Sequence, residues 1–202
     1  MARARFSRQP AELRRQSLVE ASRRALATHG LAGASVRVIC AEAGVSPGLL
    51  THYFEGVDQL ILETYRQVGE QVADAMERAV TEAPDGALDK LRAYIAASFR
   101  PPVLDRDLLS VWVVFWSLVR SNESIRRMHE DIYGLFRQKL ETLMREALAG
   151  QATDTKVRLS TVALTALVDG LWLELCLDNP SFTAEEATAV AIEWLERMLG
   201  TA

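Results

Sequence analysis

Apolar residues recur every three or four positions through most of this chain, which is the spacing of one face of an α-helix. Between residues 57 and 81 the apolar stripe consists of Ile61, Tyr65, Val68, Val72, Met76 and Ala79. Glycine, proline and short polar stretches separate the segments, and none shows the strict alternation of a β-strand. The pattern predicts an all-α chain.

Nine helices are predicted from these boundaries. They cover about residues 10–29, 36–43, 47–53, 57–81, 87–99, 104–120, 124–149, 154–178 and 183–199. Thr183, with Glu186 three residues later, forms a capping box that supports the start of the last helix. We expect a three-helix N-terminal domain at residues 1–55 and a helical domain at 56–202 that begins with the long fourth helix.

Residues 35–54 contain two short helices on either side of a tight turn. Ser35 is a good N-cap, and Gly44 ends the first helix where a positive φ is needed. Ser46 caps the second helix, and Pro47 occupies its first position, where the missing N–H does no harm. Two helices joined by a short glycine-containing turn are typical of a helix-turn-helix. The alternative is an ordinary helical hairpin whose exposed face has no function.

The second helix of a helix-turn-helix normally enters the DNA major groove. Leu50 and either Tyr53 or Phe54 are expected to close its inner face. Serine and arginine side chains beside the two helix N-termini suit phosphate groups, and the outward residues of the second helix suit base edges or phosphates. The predicted DNA-binding residues are Arg14, Ser35, Arg37, Ser46, Pro47, Gly48, Leu49, Thr51, His52 and Tyr53.

Charge is distributed unevenly along the chain. Residues 1–66 hold 9 arginines against 6 acids (+3), and the remainder holds 14 basic residues against 21 acids (−7), which gives the net charge of −4. Residues 1–24 alone carry seven arginines, among them Arg3, Arg5, Arg8, Arg14 and Arg15. A basic arm on an acidic body favours a polyanionic partner at one end. A solvated N-terminal helix is the alternative explanation.

The stretch ASVRVICAEAGVSPGLLTHYFEGVDQLILETYR resembles the DNA-binding domain of TetR-type regulators. The matching features are the serine cap, Ala-Gly-Val-Ser, the His-Tyr-Phe that ends the small-residue helix, and the leucine-containing start of the fourth helix. THYFEGVDQLILETYR, preceded by GLAGASVR, is most similar to the BetI-like, choline-responsive subgroup. The resemblance implies a homodimeric repressor of a palindromic operator, released by a small effector such as choline or a related quaternary ammonium. Val57 stands where the family usually has a lysine that contacts phosphate, so the arginine arm is expected to compensate.

The segment 154–178 is apolar nearly all round, which predicts burial on every side. In a domain this small, we expect one of its faces to meet a second subunit and to pair with the last helix in a four-helix bundle. The alternative is a monomer with one central helix. The predicted dimer-interface residues are Leu159, Val162, Ala166, Leu167, Val190, Trp194 and Met198.

Aromatic residues and two acids within apolar runs suggest an effector site in the body. Aromatic faces with a carboxylate can hold a quaternary ammonium, and an unpaired acid in an apolar run is otherwise costly. The predicted ligand-binding residues are Tyr94, Phe99, Trp112, Trp116, Asp169, Trp172 and Glu174. The alternative is that the tryptophans are core residues and the acids pair with Arg120, Arg126 or Arg127.

The remaining chemistry argues against an enzyme. The histidines are scattered, no hydrolase, metalloprotease or phosphate-loop motif is found, and we predict no cofactor, metal site or catalytic residue. Cys40 and Cys176 lie in apolar helical patterns and are expected to be buried thiols.

The chain is also expected to work away from membranes. Asp169 and Glu174 interrupt its longest apolar run, and the N-terminal arginines are not followed by the apolar run of a signal peptide. We therefore expect a cytoplasmic protein. Three alternatives stay open: a helical protein that does not bind DNA, an activator in place of a repressor, and a sensor of a different apolar compound.

Overall fold

The computed structural model describes residues 11–148, 152–177 and 181–200. Within these ranges it contains nine helices and no strand, which confirms the all-α prediction. The helices are α1 (Ala11–Gly33), α2 (Val36–Ala43), α3 (Pro47–Tyr53), α4 (Val57–Glu82), α5 (Ala87–Ser98), α6 (Arg106–Leu118), α7 (Glu123–Ala147), α8 (Asp154–Cys176) and α9 (Ala184–Leu199).

Several of these helices begin at a short polar residue whose side chain caps the first turn. Asp105 accepts a hydrogen bond from Leu108 N–H at 2.8 Å, and Asn122 accepts one from Ile125 N–H at 3.0 Å. The predicted capping box at Thr183 is present. The first helix differs from the prediction: Gly30 breaks it with a φ of 61°, but a further turn continues to Gly33.

α1 and α4 join the N-terminal helices to the rest of the molecule. α1 packs against α2, α4 and α6, α4 packs against α5 and α7, and α8 lies between α7 and α9. Tyr65, Phe99 and Phe115 are among the largest fully buried side chains. Both cysteines are buried and free, as predicted.

α8 is less buried in this chain than its apolar composition predicts. Leu159 and Val162 are 52% and 46% exposed, whereas Leu164 on the opposite face is fully buried. By length and composition alone, α8 could also cross a membrane, contrary to the sequence expectation that the charged residues rule this out. One such helix is weak support for a membrane span, because long apolar helices also occur in cores and subunit interfaces.

Candidate nucleic-acid interface and ligand cavity

The turn between α2 and α3 has the predicted geometry. The Ser35 side chain accepts a hydrogen bond from Val38 N–H at 3.4 Å, which caps α2. Gly44 follows α2 with a φ of 65°, a left-handed conformation that favours glycine. Val45 N–H then donates to the Cys40 carbonyl at 2.9 Å. These contacts fix the direction in which α3 leaves the turn.

α3 begins at Pro47 and is held by its inner face. Leu50 is fully buried, and Phe54 is 3% exposed. Of the two aromatic residues that the sequence offered for this face, Phe54 is therefore the buried one, and Tyr53 is only half-buried. Ser46 occupies the N-cap position in an extended conformation, but its side chain makes no capping hydrogen bond.

The other face of α3 is open to solvent. The predicted contact residues that are exposed are Ser35, Arg37, Ser46, Pro47, Gly48, Thr51 and His52. Leu49 is half-buried, as is Tyr53, whose ring meets His52 edge-on with centroids 5.0 Å apart. Thr51 donates its hydroxyl to the Gly48 carbonyl at 3.1 Å. The fold therefore leaves most of this face free for a partner.

The arginines of the N-terminal arm differ in what they contact. Arg15 pairs with Glu63 of α4 at 2.8 Å, and its guanidinium lies over the Phe54 ring, 5.2 Å from the centroid. Hydrogen bonds from Arg66 and then Arg15 hold the pKa of Glu63 below its ordinary value, although burial opposes them. Arg15 is therefore a residue of the α1–α4 contact, which charge counting could not show. Arg14 is half-buried.

Two sequence predictions near this surface have different outcomes. Arg3, Arg5 and Arg8 lie outside the described residues. Val57, the first residue of α4, is half-buried and packs against the core. A valine cannot supply the charged contact that lysine would make, and here it contributes to packing.

A cavity of about 80 Å³ lies among α4 to α8. Its aromatic wall consists of Tyr94, Trp112, Tyr133, Phe136 and Trp172. Val72 and Met76 of α4 also line it, so the helix that follows the α2–α3 unit forms part of the cavity wall. The two charged residues in the lining are Asp169 and Arg137.

Asp169 makes no salt bridge or hydrogen bond within the described part of the chain. Burial raises the pKa of its carboxyl group to about 6. Its charge in turn raises the pKa of Tyr94 and of Tyr133, beyond the larger effect of burial on each phenol. Near neutral pH the cavity therefore holds a mostly ionised carboxylate beside two phenol rings.

An aromatic cluster connects this cavity to α4. The Tyr65 hydroxyl and His129 Nδ1 are 2.8 Å apart, and the His129 ring lies 4.3 Å from that of Tyr133 in the cavity wall. One turn along α4, a Cβ added to Gly69 would lie 2.7 Å from Cδ1 of Ile132. α4 and α7 therefore touch closely beside the cavity.

Comparisons with known proteins agree with this architecture. Residues 18–64 match the family described as bacterial regulatory proteins of the tetR family, and residues 87–200 match the BetI-type transcriptional repressor C-terminal domain. The second match alone covers more than half of the chain. The chain belongs to the TetR family of transcriptional regulators.

Individual TetR-family proteins are similar over nearly their whole length. The chain is 28% identical over 189 residues to the HTH-type transcriptional regulator BetI of Vibrio vulnificus, covering 93% of each chain. A solved structure from Pseudomonas aeruginosa PAO1, described as a transcriptional regulator, is 40% identical with a TM-score of 0.89, covering 98% of this chain and 95% of the other. These relatives are regulators, so this TetR-family protein is a DNA-binding regulator and not an enzyme.

Another solved structure has the same fold. It is a transcriptional regulator from Saccharomonospora viridis in complex with choline, 23% identical with a TM-score of 0.78. The aligned parts cover 92% of this chain and 96% of that one.

The cavity contains some of the predicted ligand-binding residues and lacks others. Tyr94, Trp112, Asp169 and Trp172 line it together. Phe99 is buried elsewhere in the core, Trp116 is half-buried outside the lining, and Glu174 is exposed on the surface of α8. Glu174 lies on the exposed side of α8 in this chain, away from the cavity. Arg126 and Arg127, which were alternative partners for the acids, pair with Glu123 instead.

Among the cavity residues that sequence reasoning missed are the aromatic and charged ones of α7. Tyr133, Phe136 and Arg137 belong to a strongly amphipathic helix whose aromatic residues lie among charged ones. The spacing of Tyr133 and Phe136, with Leu140 one turn further, was the signal that could have identified them.

Proposed function

We propose that this TetR-family regulator is a homodimeric repressor that binds a palindromic operator through α3 and is released by a small quaternary ammonium effector such as choline. The observation that carries the proposal is the course of α4. This helix follows α3 directly and lines the cavity with Val72 and Met76. A ligand in the cavity therefore touches the element that positions the DNA-binding surface.

The DNA-binding role rests on exposed residues that have no packing or capping role in the described structure. Gly48 meets nothing nearer than 4.0 Å even with an added Cβ, so packing within the chain does not require a glycine there. A glycine at this place allows the DNA backbone to come close. Ser46 has a hydroxyl without a capping bond, and Arg37 is exposed, so both suit phosphates. We take residues 1–55 as the DNA-binding domain and 56–202 as the ligand-binding and dimerisation domain.

The dimer rests on the apolar surface of α8 and α9. Leu159, Val162 and Val190 are each about half exposed (52%, 46% and 48%) in the single chain. Ala166 is exposed as well, and Leu167, Trp194 and Met198 are half-buried. A second copy would cover these side chains, as isologous four-helix interfaces do. Two copies would also place two α3 helices on the two halves of a palindrome.

The effector class rests on Asp169 and the rings around it. A cation in the cavity would meet a carboxylate and the faces of tyrosine and tryptophan, which is favourable for a quaternary ammonium that has no N–H to donate. Trp172 is held in position because its indole N–H donates to the Val103 carbonyl at 3.0 Å. The choline bound by the Saccharomonospora viridis regulator supports the same chemistry.

Selection of binding sites from random DNA, combined with light scattering on the purified chain, tests the DNA-binding and dimer parts together. We expect a two-fold symmetric site and the mass of a dimer. His52→Ala should alter the selected bases, whereas Thr28→Ala, at an exposed position of α1, should not. A strict monomer, or selection without symmetry, contradicts the proposal. We place the protein in the cytoplasm, where its operator is, without a membrane or cofactor partner.

A further inference from the structure

Two side chains of opposite charge line the effector cavity at different places. Asp169 lies on α8 beside the rings of Tyr94 and Tyr133. Arg137 lies on α7, one turn after Tyr133, and is an exposed residue. The carboxyl group therefore lies near the aromatic wall of the cavity, whereas Arg137 is a solvent-exposed residue of the lining.

These two charges do not neutralise each other. Neither residue forms a salt bridge with any described residue. A guanidinium close to Asp169 would lower the pKa of its carboxyl group, yet burial alone accounts for the shift, which is upward. A ligand with both charges, arranged in the opposite order, would satisfy both groups at once.

Arg137 is also exceptional on its own helix. The other lysine and arginine side chains of α7 have carboxylate partners within 3.0 Å: Arg126 and Arg127 with Glu123, Lys139 with Glu77, and Arg145 with Asp154. Within the described residues, Arg137 alone among them has none. α7 therefore leaves one cation unpaired, at the position that faces the cavity.

We propose that the effector is a zwitterion, with a quaternary ammonium held by Asp169 and the aromatic wall and an anionic carboxylate or phosphate held by Arg137. This inference rests on the proposed cation site and narrows its ligand class. A simple cation would leave Arg137 without a partner. It would also be repelled by the positive charge of Arg137 as it enters the cavity. A carboxylate or phosphate accepts hydrogen bonds from the planar guanidinium, which has five donors. The cavity of about 80 Å³ holds only a small molecule.

Calorimetric titration of the full chain at pH 7.5 tests this inference with three probes. Choline and glycine betaine share the trimethylammonium group, but glycine betaine has a carboxylate where choline has a hydroxymethyl group. Phosphocholine adds a phosphate. We expect glycine betaine or phosphocholine to bind at least about tenfold more tightly than choline, as a charged hydrogen bond provides. Arg137→Gln should remove this preference and leave choline affinity within about twofold.

Two variants complete the design. Asp169→Asn should weaken all three probes, and Arg127→Gln, at an exposed and paired position of α7, should change none of them. Equal or tighter binding of choline to the native chain, with no effect of Arg137→Gln, overturns the zwitterion while the cationic effector stands. If none of the three probes binds a folded native chain, the effector class of the proposed function is wrong as well.

Discussion

The α2–α3 unit and the effector cavity differ in how far their polar groups are exposed to solvent. On α3 the side chains of Thr51 and His52 are exposed to solvent. In the cavity, Asp169 is half-buried with no salt-bridge or hydrogen-bond partner among the described residues, and burial raises the pKa of its carboxyl group. A surface that binds a large polyanion can stay solvated, whereas a cavity that binds a small cation must present a poorly solvated negative charge.

This difference predicts how function and stability separate in each region. On α3, replacing a contact residue should remove function and leave stability unchanged. In the cavity, replacing the functional charge should remove function and increase stability, because the protein then no longer buries an unpaired carboxylate.

The largest expected effect concerns the inner face of α3. Leu50→Ala removes a fully buried side chain and should lower the free energy of unfolding by about 2–5 kcal/mol. Thr51→Ala, the adjacent exposed position, should stay within about 0.5 kcal/mol. Urea denaturation of both variants measures the contrast. Similar losses for the two would show that the faces of α3 are assigned wrongly.

The next effect concerns the close contact between α4 and α7 beside the cavity. Gly69→Ala places a Cβ 2.7 Å from Cδ1 of Ile132 and should destabilise the protein by about 1–3 kcal/mol. Ile132→Val removes Cδ1, so the double variant should recover part of this loss. Gly134→Ala, on α7 with nothing within 4 Å, is the matched control and should stabilise by up to about 1 kcal/mol. Additive losses in the double variant would exclude this contact.

The cavity charge should act in the opposite direction. Asp169→Asn should stabilise the ligand-free protein at pH 7.5 by about 1–3 kcal/mol. Because its pKa is raised to about 6 from 3.8, the native chain binds more protons than the unfolded chain between these values. This carboxyl group therefore reduces stability progressively as pH rises through that window. Thermal melts should therefore show a larger advantage of the variant at pH 7.5 than at pH 4.5.

The smallest effect separates two serines with the same N-cap role. Ser35 caps α2 with a side-chain hydrogen bond, whereas Ser46 makes none. Ser35→Ala should cost about 1 kcal/mol of stability, and Ser46→Ala nearly nothing. A loss of DNA affinity in Ser46→Ala, measured by fluorescence anisotropy, would then report a direct contact. If Ser46→Ala destabilises as much as Ser35→Ala, its hydroxyl is a cap.

Local chemistry made the fold predictable from the sequence. The start of α3 depends on Ser46 and Pro47, and the end of α2 depends on Gly44, all within a few residues of the feature that they determine. The α3 surface could be predicted for the same reason, because the outer face of a short helix follows from its inner face.

The cavity and the arginine arm depend on contacts between distant segments. Glu174 and Asp169 are both acids within the apolar run of α8, and only packing shows that Asp169 alone lines the cavity. Arg137 looked like one of many surface charges until the structure placed it in the cavity lining, with no salt-bridge partner among the described residues. Arg15 was counted as an available charge because its partner Glu63 lies 48 residues away in the sequence.

The most direct test of the account is effector-dependent release of DNA by matched proteins. Native chain and Asp169→Asn are titrated onto the selected operator, and choline and glycine betaine are then added at pH 7.5. We predict that both proteins bind the operator with a Kd of about 10 nM or tighter, and that the effector releases the native chain alone. Release of Asp169→Asn at the same effector concentration, or no release of the native chain by either compound, would contradict the account.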